Sequence, residues 1–438
     1  MTAPTRQVPA TTLLRVRKLW LMPTLLTTLV AALLSLLYMG GVVNPIGDLH
    51  NLPLAIVDAD QGTPLPGQGE NLGAQIAHSL VTSGSSGSGA AAWQALTPAQ
   101  AQDELSSGRI YGALSIPADF TDSVAALLAG TATARPTMTV LTNPGTGSLA
   151  SALGQSITTQ AAQTASQSLG ARLTAAAGPH TTADSRLLLA DPVQIDVQTG
   201  HPIGDHSGLG LTAFYYALLV ILISFVGANV IHNGVDSGLG YADTEIGPWH
   251  RRRPTVPISR TQTLLLKMIM TAVLSVLTTT LVMLATVCVL RMDASHLPLL
   301  WIYSYCVALA VGLGSQAIYA AFGGIGQIIA MLVFVVLGLP SSGATIPLQA
   351  VPAFYRFLSV FEPMRQVSGG VRSILYFDAQ ADAGLSRAWI MIAIGTAVAL
   401  LFGFAMTSYY DRKGLRRLVP QVALPAPEAG HPRPETSG

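Results

Sequence analysis

Half of the 438 residues are hydrophobic, only 10% are charged, and the formal net charge is +1. Soluble domains carry about 25% charged residues, so this chain reads as a membrane protein, and its near-neutral balance excludes bulk attraction to nucleic acid. The two cysteines, Cys288 and Cys306, both lie in apolar stretches, read as small buried hydrophobes and exclude a disulfide framework.

Residues 1–18 form a leader in which "ATTLLRVRKLW" (Ala10–Trp20) sets Leu13, Leu14 and Val16 among Arg15, Arg17 and Lys18, a pattern suited to an amphipathic helix on the inner leaflet. A helix needs about 20 apolar residues to cross ~30 Å of hydrocarbon. Residues 19–43 supply the first such span. Its apolar core exceeds a signal-peptide h-region, and "LLYMGGVVNPIG" offers no clear small-x-small cleavage site, so an uncleaved anchor is expected.

The next segment, 44–206, is too long for a loop. It holds period-2 apolar runs at Leu52–Asp60, Ile110–Pro117, Thr137–Asn143 and Val193–Thr199, which read as strands. Helical patterns lie between them. Thr97 is placed as an N-cap with Pro98 in the first turn, "PADFTDSVAALLAG" is similar, and Ser148–Ala177 repeats Leu149, Leu153, Ile157, then Leu169 and Leu173. Thr82–Ala91 reads as a flexible surface loop. An α/β domain follows from these alternations. Its "DADQG" (Asp58–Gly62) lacks an oxygen ligand and a closing glutamate for a calcium loop, so a strand ending in a turn is expected. His201, Asp205 and His206 are read as a solvated linker, not a metal site.

Charge-free windows place further spans at 209–231, 268–290 and 388–410. The uncharged run from Ala294 to Tyr355 is about twice too long for one crossing. It is expected to fold back at Phe322-Gly323-Gly324, giving spans 297–322 and 323–340. The expected fold is thus an α-helical integral membrane protein with six transmembrane helices and a large extracellular α/β domain between helices 1 and 2. Lysine and arginine set the orientation. All three lysines fall in the leader, the 232–267 segment or the tail, whereas Asn44–His206 carries twelve acidic and four basic residues. Both termini are therefore expected in the cytoplasm, in the plasma membrane, with a disordered tail at 411–438.

No P-loop, Gly-x-Ser-x-Gly, His-Glu-x-x-His or Cys-x-x-Cys occurs, so neither an enzyme nor a bound cofactor is expected. Asn229, Ser315, Gln316 and Gln327 are the polar residues of the spans, and Asn229, Gln316 and Gln327 are candidates for lining a path. No span is expected to hold a buried Asp, Glu or Arg, which argues against ion-coupled transport. The 341–387 segment ends the fifth span at Ser341-Ser342-Gly343. It is expected to hold an interfacial or re-entrant helix with Pro352 in its first turn, Phe354, Phe357, Leu358 and Phe361 on one face, and a stop before Pro363.

The opening "LPLAIVDADQGTP", the stretch "SSGRIYGALSIPADFT", the "NPGTG" that follows and "GLPSSGATIPLQAVPAFYRFLSVFEPMRQVSGGVRSILY" resemble the ABC type-2 exporter permease family. The likeness covers roughly residues 10 to 415 and is closest to the branch of phage-infection and nitrosoguanidine-resistance proteins. The resemblance implies a homodimer or paired permease in the lipid bilayer. It also implies a separate ABC ATPase subunit that uses the ATP, and outward movement of a lipid, glycan or amphipathic compound. It lays Glu245, Pro257, Ser259, Arg260 and Lys267 on an ATPase-coupling loop at 232–267, and Pro352, Phe354, Phe357 and Phe361 on an outer gate. The alternative is a membrane-anchored surface protein whose outer domain binds ligand, envelope polymer or phage without transport.

Overall fold

The structure is a computed structural model that describes residues 14–84, 89–176, 183–251, 253–415 and 417. The start of the expected leader helix and the tail beyond 417 lie outside the described residues. The chain is mostly helical, with a small α/β region inserted after the first long helix.

Helix α1 (Arg17–Gly40) leads to β1 (Leu52–Asp58), α2 (Leu72–Gly84), β2 (Ala91–Ala95), α3 (Pro98–Ser106), β3 (Gly112–Ile116), α4 (Phe120–Leu128) and β4 (Thr137–Thr142). Helices α5 (Ser148–Ala176) and α6 (Ala183–Ala190) and strand β5 (Gln194–Thr199) complete the domain. The sheet order is β2-β1-β3-β4-β5, with β1 parallel to both neighbours, β4 antiparallel to β3, and β5 parallel to β4. β1 is an interior strand, between β2 and β3, because "LPLAI" is apolar on both faces, and Leu52, Leu54, Ala55 and Ile56 are fully buried. Ala162, Leu169 and Leu173 of α5 cover one face with Ile56, Leu114 and Met138. Leu105 of α3 covers the other with Ala55 and Ala113. Thr97 and Gln100 close a capping box on α3, with Pro98 in its first turn. Of the expected loop Thr82–Ala91, Thr82–Gly84 complete α2 and Ala91 opens β2; 85–88 lie outside the described residues.

The turn after β1 is built on Asp60. Its buried carboxylate accepts from the backbone N–H of Gly62 (3.0 Å), Gly73 (3.0 Å) and Thr121 (3.2 Å), and from the Thr121 hydroxyl. One side chain thus fixes the starts of α2 and α4 against the end of β1.

Among the described residues, five helical stretches are long and apolar enough to cross a membrane: Pro23–Gly40, Thr212–Gly238, Arg260–Val289, Leu297–Ser341 and Ala381–Arg412. They contain α1, α7 (Thr212–Gly238), α8 (Arg260–Met283), α9 (Leu297–Phe322), α10 (Gly326–Met331) and, after the loop helices, α13 (Ser386–Arg412). α8 runs on as a wide turn to Val289, and α10 likewise to Ser341. A small hairpin, β6 (Thr244–Ile246) and β7 (Trp249–Arg251), lies between α7 and α8. Gly323 adopts φ +62°, which costs glycine nothing. Beyond it α10 doubles back on α9: a Cβ at Gly326 would sit 2.8 Å from the Ile318 carbonyl, and one at Gly314 would meet the Phe334 ring at 2.7 Å.

The loop helices differ from expectation. α11 (Ala353–Leu358) ends before Phe361, and Pro363 opens a second helix, α12 (Pro363–Tyr376). Proline lacks only an N–H that a first helical turn leaves free. Glu362 caps it, accepting from Met364 N–H and Arg365 N–H at 2.8 Å each. Met364, Val367, Val371 and Ile374 of α12 pack into the bundle core. α12 also docks the α/β domain. His201 Nε2 lies 2.8 Å from the Tyr376 carbonyl and the Phe377 ring seats beneath Gly108 and Gly145, while the Tyr376 hydroxyl ties α12 to the start of α7 by accepting from Ala213 N–H at 3.1 Å. His201 therefore packs, and no group of three candidate metal ligands exists among the described residues. Cys306 is half-buried and Cys288 is exposed on the bundle surface, not buried; both are free.

Replacing a buried, multiply bonded carboxylate removes charge-assisted hydrogen bonds worth ~1.5–3 kcal/mol each. Asp60→Ala is expected to lower the thermal midpoint of the full-length protein clearly. Asp122→Asn, which only removes the charge from one exposed contact to Thr63 N–H, leaves that midpoint within a degree or two on the same scan.

Candidate functional site

α7 does not stop where its charge-free window stops. It runs two further turns and carries His232 and Asp236, four residues apart and therefore on one face. α8 begins at Ser259, whose hydroxyl and Gln262 form a capping box, and places Lys267 two turns inside. Lys267 Nζ donates to Asp236 Oδ1 at 2.7 Å and to His232 Nδ1 at 3.0 Å. Both guanidinium nitrogens of Arg417, beyond α13, donate to the two Asp236 oxygens at 2.7 Å. Lys267, Asp236 and His232 are only 4%, 6% and 8% exposed. This corrects the expectation that no span holds a buried acidic residue, and with it the argument against ion coupling. A paired charge survives in a helical bundle where a lone one would not.

Since Lys267 donates to His232 Nδ1, the imidazole proton resides on Nε2, which faces Asp236 Oδ2 at 3.4 Å. The cluster then holds two cations and one anion. Beside it lies a cavity of about 50 Å³ bordered by His232, Lys267, Gln316, Tyr319 and Arg417. Gln316 donates to the Ala228 carbonyl at 2.9 Å, but its buried Oε1 has no partner among the described residues. The space suits one or two waters bonded to such a group. Next to the cluster, Asp411 of α13 accepts from Arg260 N–H, Thr261 N–H and the Thr261 hydroxyl at 3.0, 3.0 and 2.7 Å. The Arg260 guanidinium lies over the Tyr410 ring and that of Arg417 over Tyr241.

The five coupling-loop candidates are therefore dispersed. Ser259 and Arg260 form the start of α8, Lys267 belongs to the buried cluster, Glu245 lies exposed in the β6–β7 hairpin, and Pro257 is exposed. The path candidates also separate. Gln316 borders the cavity, whereas Asn229 and Gln327 are linked through Asn233 at 3.0 and 3.3 Å. Sequence reasoning missed His232, Asp236 and Arg417. The available signal was the four-residue His–Asp spacing directly after an apolar window.

At the other end, an apolar groove of about 380 Å³ opens between α9, α10, α12 and α13, lined by residues including Val311, Phe334, Val367, Met391 and Ile394. Of the gate candidates only Phe361 borders it. Pro352 caps α11. Phe354 and Phe357 project outward, 56% and 67% exposed, and the neighbouring Tyr355 anchors α11 by donating to the Leu36 carbonyl at 3.1 Å. A third concavity, about 410 Å³, lies in the α/β domain between α2 and α5, with Trp93 at its floor and Gln75, Gln160 and Arg172 around it.

Two outcomes follow. Asp236→Ala leaves the buried Lys267 and the half-buried Arg417 without their anion and is expected to cost about 3–5 kcal/mol, while Asp236→Ala/Lys267→Met recovers a large part of it. Thermal unfolding of the two variants in detergent checks this. Glu362 is buried, and desolvation outweighs its two N–H bonds and Arg365, lifting its pKa from 4.5 to about 7. The folded state thus holds the Glu362 proton more tightly than the unfolded chain. Its stabilising contribution is present below pH 4.5 and lost as pH rises to 7. A pH series of melting points should show that decline, and Glu362→Gln should flatten it.

No curated protein and no solved structure matches the chain. The family described as a protein of unknown function (DUF3533) matches residues 22–395, from within α1 through the first turns of α13, and the chain belongs to that family.

Proposed function

We propose that this chain is the membrane-spanning subunit of an exporter that moves a lipid, glycan or amphipathic compound outward through the plasma membrane, driven by a separate ATPase. The reading takes the Leu297–Ser341 stretch as two crossings, because α10 folds back along α9, and so counts six. It puts the α/β domain outside and both termini in the cytoplasm, and pairs two such subunits in the bilayer. The observation that carries it is the Asp236–Lys267–Arg417 cluster.

Ionisable groups are costly at membrane depth and persist where they serve a path or join parts that move. Here one carboxylate joins α7, α8 and the segment after α13. Next to it, the loop that carries the β6–β7 hairpin is closed by the Tyr241 hydroxyl, which donates to the Val256 carbonyl, and is tied to the cluster by the Arg417 guanidinium over the Tyr241 ring. A partner pressing on that loop would load Arg260, Asp411 and the cluster together. The arginines and lysines of this end supply the positive-inside bias.

The test is efflux of a fluorescent short-chain phospholipid from cells energised with ATP. Asp236→Asn keeps the shape, is expected to reduce efflux at least about tenfold, and should uncouple any ATPase that co-purifies. Unchanged efflux in Asp236→Asn, or efflux that follows the proton gradient and ignores ATP, would overturn the proposal.

The cleft beneath α2 and α5 favours a second reading, a surface protein that binds an outside ligand without transport. Under that reading Trp93→Ala abolishes a binding phenotype in cells that show no export at all.

A further inference from the structure

The groove between α9, α10, α12 and α13 has a charged end. On α13, Met391, Ile394, Gly395 and Val398 line it. Arg387 precedes Met391 by four residues, so it stands on the same stripe one turn nearer the α/β domain. Arg387 is exposed and carries no ion pair among the described residues. The acids around it are engaged elsewhere: Asp382 with Arg109 at 2.7 Å, Asp378 with His296 at 3.3 Å, and Glu362 with the first turn of α12. A second guanidinium comes from Arg365, which precedes the groove-lining Gln366 and Val367 on α12 and is held by the Ser359 hydroxyl at 2.9 Å.

Burial and then the nearby charge of Arg387 lower the pKa of Arg365, while Tyr111 and the Glu362 carboxylate raise it, which places the two guanidinium groups within electrostatic reach of each other. The groove itself is walled mainly by aliphatic and phenyl groups, and Ile394 and Val398 are more than half exposed on the bundle surface. A Cβ at Gly395 would meet nothing within 4 Å, so the groove is open at its middle.

We propose that this groove binds one acyl chain of an anionic phospholipid from the leaflet on the α/β-domain side, with its phosphate between Arg365 and Arg387. Bilayer lipid supplies the chain directly, and the unpaired positive charge of Arg387 at the mouth selects a net-negative headgroup over a zwitterionic one. This deepens the exporter reading by naming a substrate class, and rests on it only for what happens after binding.

The experiment uses the full chain purified in detergent and read by native mass spectrometry, with no transport step. Palmitoyl-oleoyl phosphatidylglycerol is compared with phosphatidylcholine of the same chains, and inorganic phosphate is added as competitor. The wild type is expected to retain phosphatidylglycerol over phosphatidylcholine. Arg387→Gln should reduce that preference at least about five-fold, the factor that one basic residue at a membrane surface contributes, at an unchanged melting point. Gly395→Phe, which fills open space, should reduce retention of both lipids.

Equal retention of the two lipids by the wild type, or Gly395→Phe retaining them fully, would mean annular lipid only and would sink the proposal. Displacement of phosphatidylglycerol by inorganic phosphate would sink it too, in favour of a free-anion site. Selective retention in a protein that fails the efflux assay leaves this site standing and removes the exporter reading. Efflux without selective retention does the reverse.

Discussion

A carboxylate inside a helical bundle dictates what surrounds it. Asp236 cannot be moved from water without cations at contact distance, and Lys267 and Arg417 reach it from two other segments. α7 and α8 must then pack closely along their last and first turns, and the chain after α13 must return across that end. The neighbouring interactions follow from the same constraint. Once Arg417 is fixed, Leu415 lies where its carbonyl accepts from Arg260 Nε at 2.7 Å, and Asp411 meets the free N–H groups of α8. Helix starts leave N–H groups unpaired and favour a nearby negative charge. Asp411 supplies both needs from another helix.

Most of the α/β domain was legible because a sheet writes its pattern with period 2. β1, β3, β4 and β5 each alternate or run apolar, and each formed. β2 did not announce itself: "AAWQA" is short, has no alternation and follows a glycine-serine stretch. The paired glycines at 323 and 324 marked the reversal of the longest apolar run for a reason that needs no neighbours, since only glycine adopts φ +62° freely.

The helical loop and the cluster were less legible, for two physical reasons. α12 reads as polar, "PMRQVSGGVRSILY", yet its apolar residues fall on one face, and its serines and glycines permit close approach. A Cβ at Gly370, for example, would collide with the Tyr303 side chain. Pro363 can end a helix or begin one, and only the Glu362 cap decides between them. The cluster was hidden by the rule that a span ends at its first charge. That rule holds for a helix facing lipid. It fails for one whose charged face meets a neighbour, and the partners lie 31 and 181 residues away in the chain.

The groove and the cluster are joined by one rigid element. α13 carries Arg387 and the groove stripe in its first half and Asp411 at its end. Its two halves are packed unequally. A Cβ at Gly403 would stand 3.0 Å from Ala317 and 3.1 Å from Leu264, whereas Gly395 faces open space. A helix held tightly at one level and loosely at another tilts about the tight level, because a close-packed contact resists sliding and an open groove does not. Below Gly403, Asp411 adds three hydrogen bonds to the start of α8, so the polar contacts of this end reinforce the tight level.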